Sequence, residues 1–107
     1  MAVIQAFEYT YELAYKKIRR QLEQIVANPS ELKEINFMDL MRSAKEAGLI
    51  SEVPNFRVYR EKRNITSHTY DEDKAVEIVS VVDSFLQDMH FLLNELKKRN
   101  SNAGEPD

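Results

Sequence analysis

The spacing of apolar side chains predicts a long first helix, from about Ala2 to Ala27. Apolar residues recur there at every third or fourth position, which is the repeat of an amphipathic helix that buries one face. This stripe consists of Ile4, Phe7, Tyr11, Ala14, Ile18, Leu22 and Ile25. Asn28-Pro29-Ser30 follows, and its proline disfavours helical geometry in the residue before it. The first helix is therefore expected to end at this point.

Two shorter helices are predicted in the middle of the chain, over about 37–47 and about 55–68. Asn36 suits the N-cap of the first one, because its side chain can accept a hydrogen bond from an unpaired N–H of the first turn. Gly48 is placed to end the same helix, since glycine readily adopts the left-handed conformation found after many helices. Residues 51–54 then form the joint to the second short helix.

The last helix has the most regular pattern and is predicted over about 73–99. Its apolar stripe comprises Ala75, Ile78, Val79, Val82, Phe85, Leu86, Met89, Leu93 and Leu96. Residues 101–107 are predicted to form a polar C-terminal tail, which leaves residues 1–100 as a single helical domain. Short joints between long amphipathic helices favour antiparallel neighbours. The sequence therefore predicts an all-α, up-and-down antiparallel bundle of four helices, two long and two shorter.

Three large apolar residues do not fit these stripes. Tyr9 and Leu13 lie well off the stripe of the first helix, and Phe91 points nearly opposite that of the last helix. Apolar residues on outer faces favour a second buried surface, so we predict that the three form the interface of a homodimer. Packing of the short helices over them is the alternative.

Composition narrows the class of protein without identifying it. The 107 residues suffice for one core and include no cysteine, which excludes disulfides and thiolate-bound metal. Two glycines and three prolines leave few sites for tight turns, which argues against a many-stranded β fold. The net charge of −3 is unlike that of a general nucleic-acid binder, so any contact with RNA requires a local basic patch. With no membrane-spanning or signal segment, a cytoplasmic location is expected.

The segment from Arg63 to Tyr70, RNITSHTY, is rich in residue types used in catalysis. An ordinary histidine, with a pKa of about 6.5, can serve as general base or acid toward a ribose 2′-hydroxyl. A guanidinium can hold a phosphate and stabilise the charge of the transition state, and neither step needs a metal or another cofactor. Asn64 and His68 share a helix face, whereas Arg63 and His68 are about 140° apart on a regular helix. Arg63 and His68 can therefore reach the same substrate group only if the long Arg63 side chain spans the distance, if the helix ends near His68, or if the two residues pair across a dimer.

Spacing alone also allows structural roles for these residues. His68 can pack at a helix end, and Arg63 can form an ordinary surface ion pair. Arg60 and Lys62 are candidate phosphate contacts, but they can equally be neutralised by Glu61 and other acidic neighbours. The residues by themselves leave both interpretations open.

Two carboxylates of the first helix, Glu8 and Glu12, are four residues apart on a polar face. Because no histidine accompanies them at the spacing of metal ligands, we expect them to be solvated, and no metal site is predicted. The chain also lacks a Gly-rich phosphate loop and a Ser-His-Asp set, so ATP hydrolysis and acyl transfer are not supported.

The pattern Arg63-Asn64-x-x-x-His68-x-Tyr70 resembles the signature of HEPN domains, particularly those encoded beside minimal nucleotidyltransferases. The stretch IQAFEYTYELAYK, residues 4–16, resembles the first conserved helix of that family, and AGLI, residues 47–50, resembles a further block. The resemblance runs from about Val3 to Leu96. It implies an all-α homodimer in which the motifs of two subunits face one cleft.

The resemblance also implies roles for the motif residues. In toxin-like members the arginine and histidine cleave RNA without a metal, which maps onto Arg63 and His68, with Asn64 as their polar neighbour. In members paired with a nucleotidyltransferase antitoxin, the motif tyrosine, here Tyr70, receives nucleotidyl groups from that partner. The alternative within the same family is a non-catalytic subunit that presents a nucleotide or another substrate to the nucleotidyltransferase.

One difference from the family pattern concerns the start of the sequence. Family members usually carry another amphipathic helix before the block that begins at Ile4, whereas this sequence starts at that block. Met1 and Ala2 stand where an arginine-aspartate pair is expected. We therefore expect one flank of the bundle to be open.

Overall fold

The computed structural model describes residues 2–104, and within that range the chain folds into five α-helices and two short 3-10 turns. The elements are α1 (Ala2–Ile25), a 3-10 turn (Pro29–Leu32), α2 (Phe37–Glu46), α3 (Val53–Asn64), a second 3-10 turn (Thr66–His68), α4 (Glu72–Ser80) and α5 (Val82–Gly104). No strand occurs among these residues, so the all-α prediction is confirmed. None of the helices in this range is both long enough and apolar enough to cross a membrane.

The ends of α2 follow the signals read from the sequence. Asn36 caps its start, because the Asn36 side chain accepts a hydrogen bond of 2.8 Å from the backbone N–H of Asp39. Gly48 follows its end with a φ of 80°, a left-handed conformation that glycine adopts without strain. Arg99 of α5 donates to the carbonyl of Ala47, so a cationic side chain also satisfies the negative end of this helix.

The predicted last helix is two helices, and the prediction of four helices was therefore wrong at this point. The helix is interrupted at Val81, whose N–H donates to the Ile78 carbonyl three residues back rather than four. Three of the four residues 79–82 are β-branched valines, and the fourth, Ser80, bonds its hydroxyl to the Glu77 carbonyl. Both features weaken helical geometry.

The interruption rotates α5 relative to the stripe that was predicted for a continuous helix. Phe85, Asp88 and Leu92 form the buried line of α5. Val79, Leu86 and Leu93, which the continuous stripe placed in the core, are each more than two-fifths exposed. The buried Asp88 could not be expected from a pattern of apolar residues.

The stripe of α1 is buried as predicted, apart from its last member. Ile25 is 47% exposed because α1 ends at that residue and leaves it beyond the packed part of the helix. At the other end of the chain, α5 continues to Gly104, past the predicted end at Arg99 and into the predicted tail. Residues 105–107 of that tail, and Met1, lie outside the described residues.

Contacts between side chains fix the directions of the long helices. Glu12 meets Arg63 and Glu8 meets Thr66, so α1 and α3 are antiparallel. Tyr59 meets Phe85 and Asn55 meets Asp88, so α3 and α5 are antiparallel as well. It follows that α1 and α5 run in the same direction. The predicted up-and-down order was therefore wrong, because it makes the first and last of four helices antiparallel. The long connection through Pro29–Leu32 permits this arrangement, because it does not constrain its flanking helices as a tight turn would.

A buried polar network fastens α3 to α5. The Tyr59 hydroxyl donates to Asp88 at 2.5 Å, and Asn55 and Ser51 donate to the same carboxylate at 3.3 and 3.4 Å. Burial, followed by the hydrogen bond to Asp88, raises the pKa of Tyr59, so this hydroxyl remains a donor. The network holds α3, the helix that carries the start of the motif, in a fixed position.

Candidate functional site

The motif residues lie where α3 gives way to the second 3-10 turn. Arg63 and Asn64 occupy the last turn of α3, His68 ends the 3-10 turn, and Tyr70 lies between that turn and α4. The predicted helix over 55–68 is therefore too long, because the backbone leaves helical geometry at Ile65, where φ is −101° and ψ is 7°. The angle of about 140° for a regular helix no longer applies between Arg63 and His68.

Two carboxylates of α1 hold this junction in place. Glu12 accepts a hydrogen bond of 2.5 Å from Nε of Arg63, and Glu8 accepts one of 2.6 Å from the Thr66 hydroxyl. The same Thr66 hydroxyl lies 2.8 Å from the Arg63 carbonyl. The expectation that Glu8 and Glu12 are solvated holds only in part, because both are half-buried and both also bond to the motif. Their spacing of four residues places them on the same face of α1.

The contact with Glu12 leaves part of Arg63 available. A guanidinium carries five N–H donors, and Glu12 takes the one on Nε. The Arg63 side chain is 37% exposed, so its terminal amino groups can reach a solvent-borne anion. Arg63 is thus oriented by α1 and still able to bind a phosphate with the fork of its guanidinium.

His68 and Tyr70 form an exposed pair at the C-terminal end of the motif. The Tyr70 hydroxyl is 3.4 Å from Nδ1 of His68, and the two rings meet edge to face at 5.9 Å. That contact involves Nδ1 and not Nε2 of His68, and 84% of the Tyr70 surface is exposed. Among the described residues, no hydrogen bond or ion pair joins Arg63 to His68.

The structure separates the two candidate phosphate contacts. The guanidinium of Arg60 lies over the Phe37 ring, with Cζ 4.7 Å from the ring centre. Lys62 instead turns toward α4, where its Nζ lies 3.6 Å from Glu77. Glu61, a candidate for neutralising both, pairs with Arg57.

Arg60 and Arg63 line a cleft of about 280 Å³ between α1, α2 and α3. Its wall consists of Tyr11, Glu12, Tyr15, Phe37, Arg60, Arg63 and Asn64. Burial raises the pKa of Tyr11 to about 12, so its hydroxyl stays neutral and can donate a hydrogen bond at physiological pH. Two guanidiniums against one carboxylate give this cleft a local positive charge in a chain whose net charge is −3.

The three predicted interface residues are all on the surface. Tyr9 is 70% exposed, and Leu13 and Phe91 are each about two-fifths exposed. Leu13 belongs to an apolar groove between α1 and α5, which is lined by Thr10, Leu13, Ala14, Lys17, Met89, Leu92, Leu93 and Leu96.

Comparison with known proteins identifies the family. Residues 1–98 match the family described as nucleotidyltransferase substrate binding protein like. The chain belongs to this family. The resemblance to HEPN domains associated with nucleotidyltransferases, first read from the motif, is thereby confirmed.

Two relatives from Haemophilus influenzae illustrate the match. One is the curated protein named "Probable ribonuclease HepT", which is 43% identical over 97 residues; the match covers 91% of this chain and 66% of that protein. The other is a solved structure, described as revealing the fold of a substrate binding domain of a nucleotidyltransferase. It is 42% identical with a TM-score of 0.85, and the match covers 88% of this chain and 70% of the solved one. The chain thus spans just under two thirds of the curated relative.

Proposed function

We propose that this protein is a metal-independent endoribonuclease toxin that a minimal nucleotidyltransferase neutralises by modifying Tyr70. Arg63 holds the scissile phosphate, His68 moves the proton of the ribose 2′-hydroxyl, and Asn64 is their polar neighbour. Arg60 and Lys62 are further contacts with the RNA. The protein acts in the cytoplasm as a homodimer.

The observation that carries this proposal is the exposed junction at the end of α3. The end of α3 at Asn64 falls between Arg63 and His68. A helix end at this place is one arrangement that lets both side chains converge on one phosphate. Glu12 orients Arg63 while leaving the fork of its guanidinium for an anion, and the Nδ1 contact with Tyr70 leaves Nε2 of His68 for a substrate. The name of the curated relative, a probable ribonuclease, is consistent with this chemistry.

A second candidate function is a non-catalytic subunit that presents a nucleotide to a nucleotidyltransferase. The family description and the solved relative, a substrate binding domain of a nucleotidyltransferase, favour it. Expression of this chain without its partner separates the two functions. The ribonuclease stops growth, and co-expression of the nucleotidyltransferase restores it, whereas a binding subunit leaves growth unaffected in both cultures.

Neutralisation follows from the exposure of Tyr70. The Tyr70 oxygen attacks the α-phosphorus of a nucleoside triphosphate held by the partner, a phosphodiester bond forms, and pyrophosphate leaves while the partner takes the phenolic proton. The phosphate is added to the Tyr70 oxygen, which lies 3.4 Å from Nδ1 of His68. The charge of this phosphate repels an incoming RNA phosphate.

Removing the carboxylate that orients Arg63 is expected to slow RNA cleavage about ten-fold or more, because misplacing a catalytic group by about 1 Å is costly. Glu12→Ala loses the bond to Nε of Arg63, whereas Glu12→Gln retains an acceptor and restores part of the rate. The loss should fall on kcat more than on KM. Glu23→Ala, on the same helix but paired with Arg19, is the matched control and should cut at the wild-type rate.

The homodimer is expected to depend on the exposed apolar residues of α1 and α5. Phe91→Asp and Leu13→Asp should each shift the protein from dimer to monomer in light scattering at micromolar concentration, because a charge is costly to bury at an interface. Val76→Asp, at an exposed valine of α4, is the control and should leave the mass unchanged. A monomeric wild-type protein under these conditions would refute the dimer.

A further inference from the structure

The cleft between α1, α2 and α3 contains more aromatic surface than phosphate binding requires. The Tyr15 and Phe37 rings lie almost parallel, 8° apart with their centres separated by 6.3 Å. Arg60 lies over the Phe37 ring at 4.7 Å. Three flat groups are therefore arranged together in a cleft that also holds Arg63 and Asn64.

These groups match the chemistry of a nucleobase. Unstacked bases bind to aromatic rings and to the planes of arginine side chains, and the edge of a stacked guanidinium still donates hydrogen bonds. Asn64 carries a donor and an acceptor, as the hydrogen-bonding edges of bases require. A volume of about 280 Å³ lies near the lower end of the range for ligand pockets, which suits a single base and not a larger cofactor.

We propose that this cleft binds one nucleotide, with its base against Arg60, Phe37 and Tyr15 and its phosphate at Arg63. The proposal rests on the proposed function in that both place a nucleotide phosphate at Arg63. It adds that the protein recognises the base next to that phosphate. Lys62, which turns toward Glu77 of α4, is outside this subsite.

The subsite can be tested without measuring cleavage. Adenosine 5′-monophosphate, ribose 5-phosphate and a hexa-adenylate RNA with every 2′-hydroxyl methylated are titrated calorimetrically into the protein. Adenosine monophosphate should bind at least about ten-fold more tightly than ribose 5-phosphate, because base stacking on an aromatic platform contributes to affinity. Preference for the hexamer identifies RNA as the source of the nucleotide, and preference for the monophosphate identifies a free nucleotide.

Two variants assign the binding to the cleft. Phe37→Leu should weaken adenosine monophosphate about ten-fold without changing the affinity for ribose 5-phosphate, and circular dichroism checks its fold. Arg60→Gln, at an exposed position, should also weaken adenosine monophosphate about ten-fold. Arg57→Gln removes the same charge one turn away on α3, outside the cleft, and should change the affinity less than two-fold.

The outcomes also separate this proposal from the ribonuclease. Base-dependent binding by a protein that does not cut RNA would refute the ribonuclease and leave the subsite standing. Equal affinities for adenosine monophosphate and ribose 5-phosphate, or equal losses in Arg57→Gln and Arg60→Gln, would overturn the subsite even if RNA is cut.

Discussion

His68→Ala is expected to lower the rate of RNA cleavage about 10²- to 10⁴-fold, the usual consequence of losing a general acid or base. His68 is exposed at the end of the 3-10 turn, with Nδ1 facing Tyr70 and Nε2 available to a ribose hydroxyl. Because His68 packs little, its removal should leave the helical content and thermal stability close to those of wild type. The measurement is a time course with a labelled single-stranded RNA and purified protein.

The chain offers a matched control for this variant. His90 is its other histidine and is exposed on α5, so His90→Ala should cut at the wild-type rate. Arg63→Lys should also be poor, because lysine lacks both the Nε donor that Glu12 holds and the planar fork. Equal rates for wild type and His68→Ala would show that a contaminant did the cutting.

Tyr70→Phe is expected to abolish neutralisation by the nucleotidyltransferase while leaving cleavage nearly intact. The 3.4 Å contact with His68 lies at the surface, so losing the hydroxyl disturbs the imidazole little. Without the hydroxyl, however, there is no oxygen to attack the nucleoside triphosphate. After incubation with the partner and ATP, mass spectrometry should find the added mass in the wild-type peptide that contains Tyr70 and no label in the variant.

The same experiment contains its control and its refutation. Tyr9→Phe removes the hydroxyl of another exposed tyrosine but keeps the ring that we predict at the dimer interface, so it should be labelled and neutralised as wild type is. Labelling of a residue other than Tyr70, or complete neutralisation of Tyr70→Phe, would defeat this mechanism. Either result would favour the second candidate function, a non-catalytic subunit that presents a nucleotide to the nucleotidyltransferase.

The parts of the fold that local patterns determine were predictable from the sequence. The stripe of α1 from Ile4 to Leu22 is buried because six apolar residues repeat on one face. Asn36 and Gly48 mark the ends of α2 because each residue type has a specific backbone role there. The division between α4 and α5 was missed, since three valines and a serine lower helix propensity only slightly and the apolar repeat continues across them.

The arrangement of the candidate site depended on contacts that no local pattern contains. Glu12 and Arg63 are 51 residues apart, so their ion pair follows from the packing of α3 on α1. The end of α3 at Asn64 is marked by neither glycine nor proline. The sequence predicted Phe37 only as the first residue of a helix. Its position under Arg60 depends on the packing of α2 against α3.

The most direct test of the ribonuclease is the chemistry of the RNA ends that the purified protein leaves in the presence of a chelator. Attack of the 2′-oxygen on the adjacent phosphorus expels the 5′-oxygen, so mass spectrometry should find 2′,3′-cyclic phosphate ends from wild-type protein and none from His68→Ala. Intact RNA in both samples, or cleavage that needs Mg²⁺ and leaves 3′-hydroxyl ends, would contradict the account.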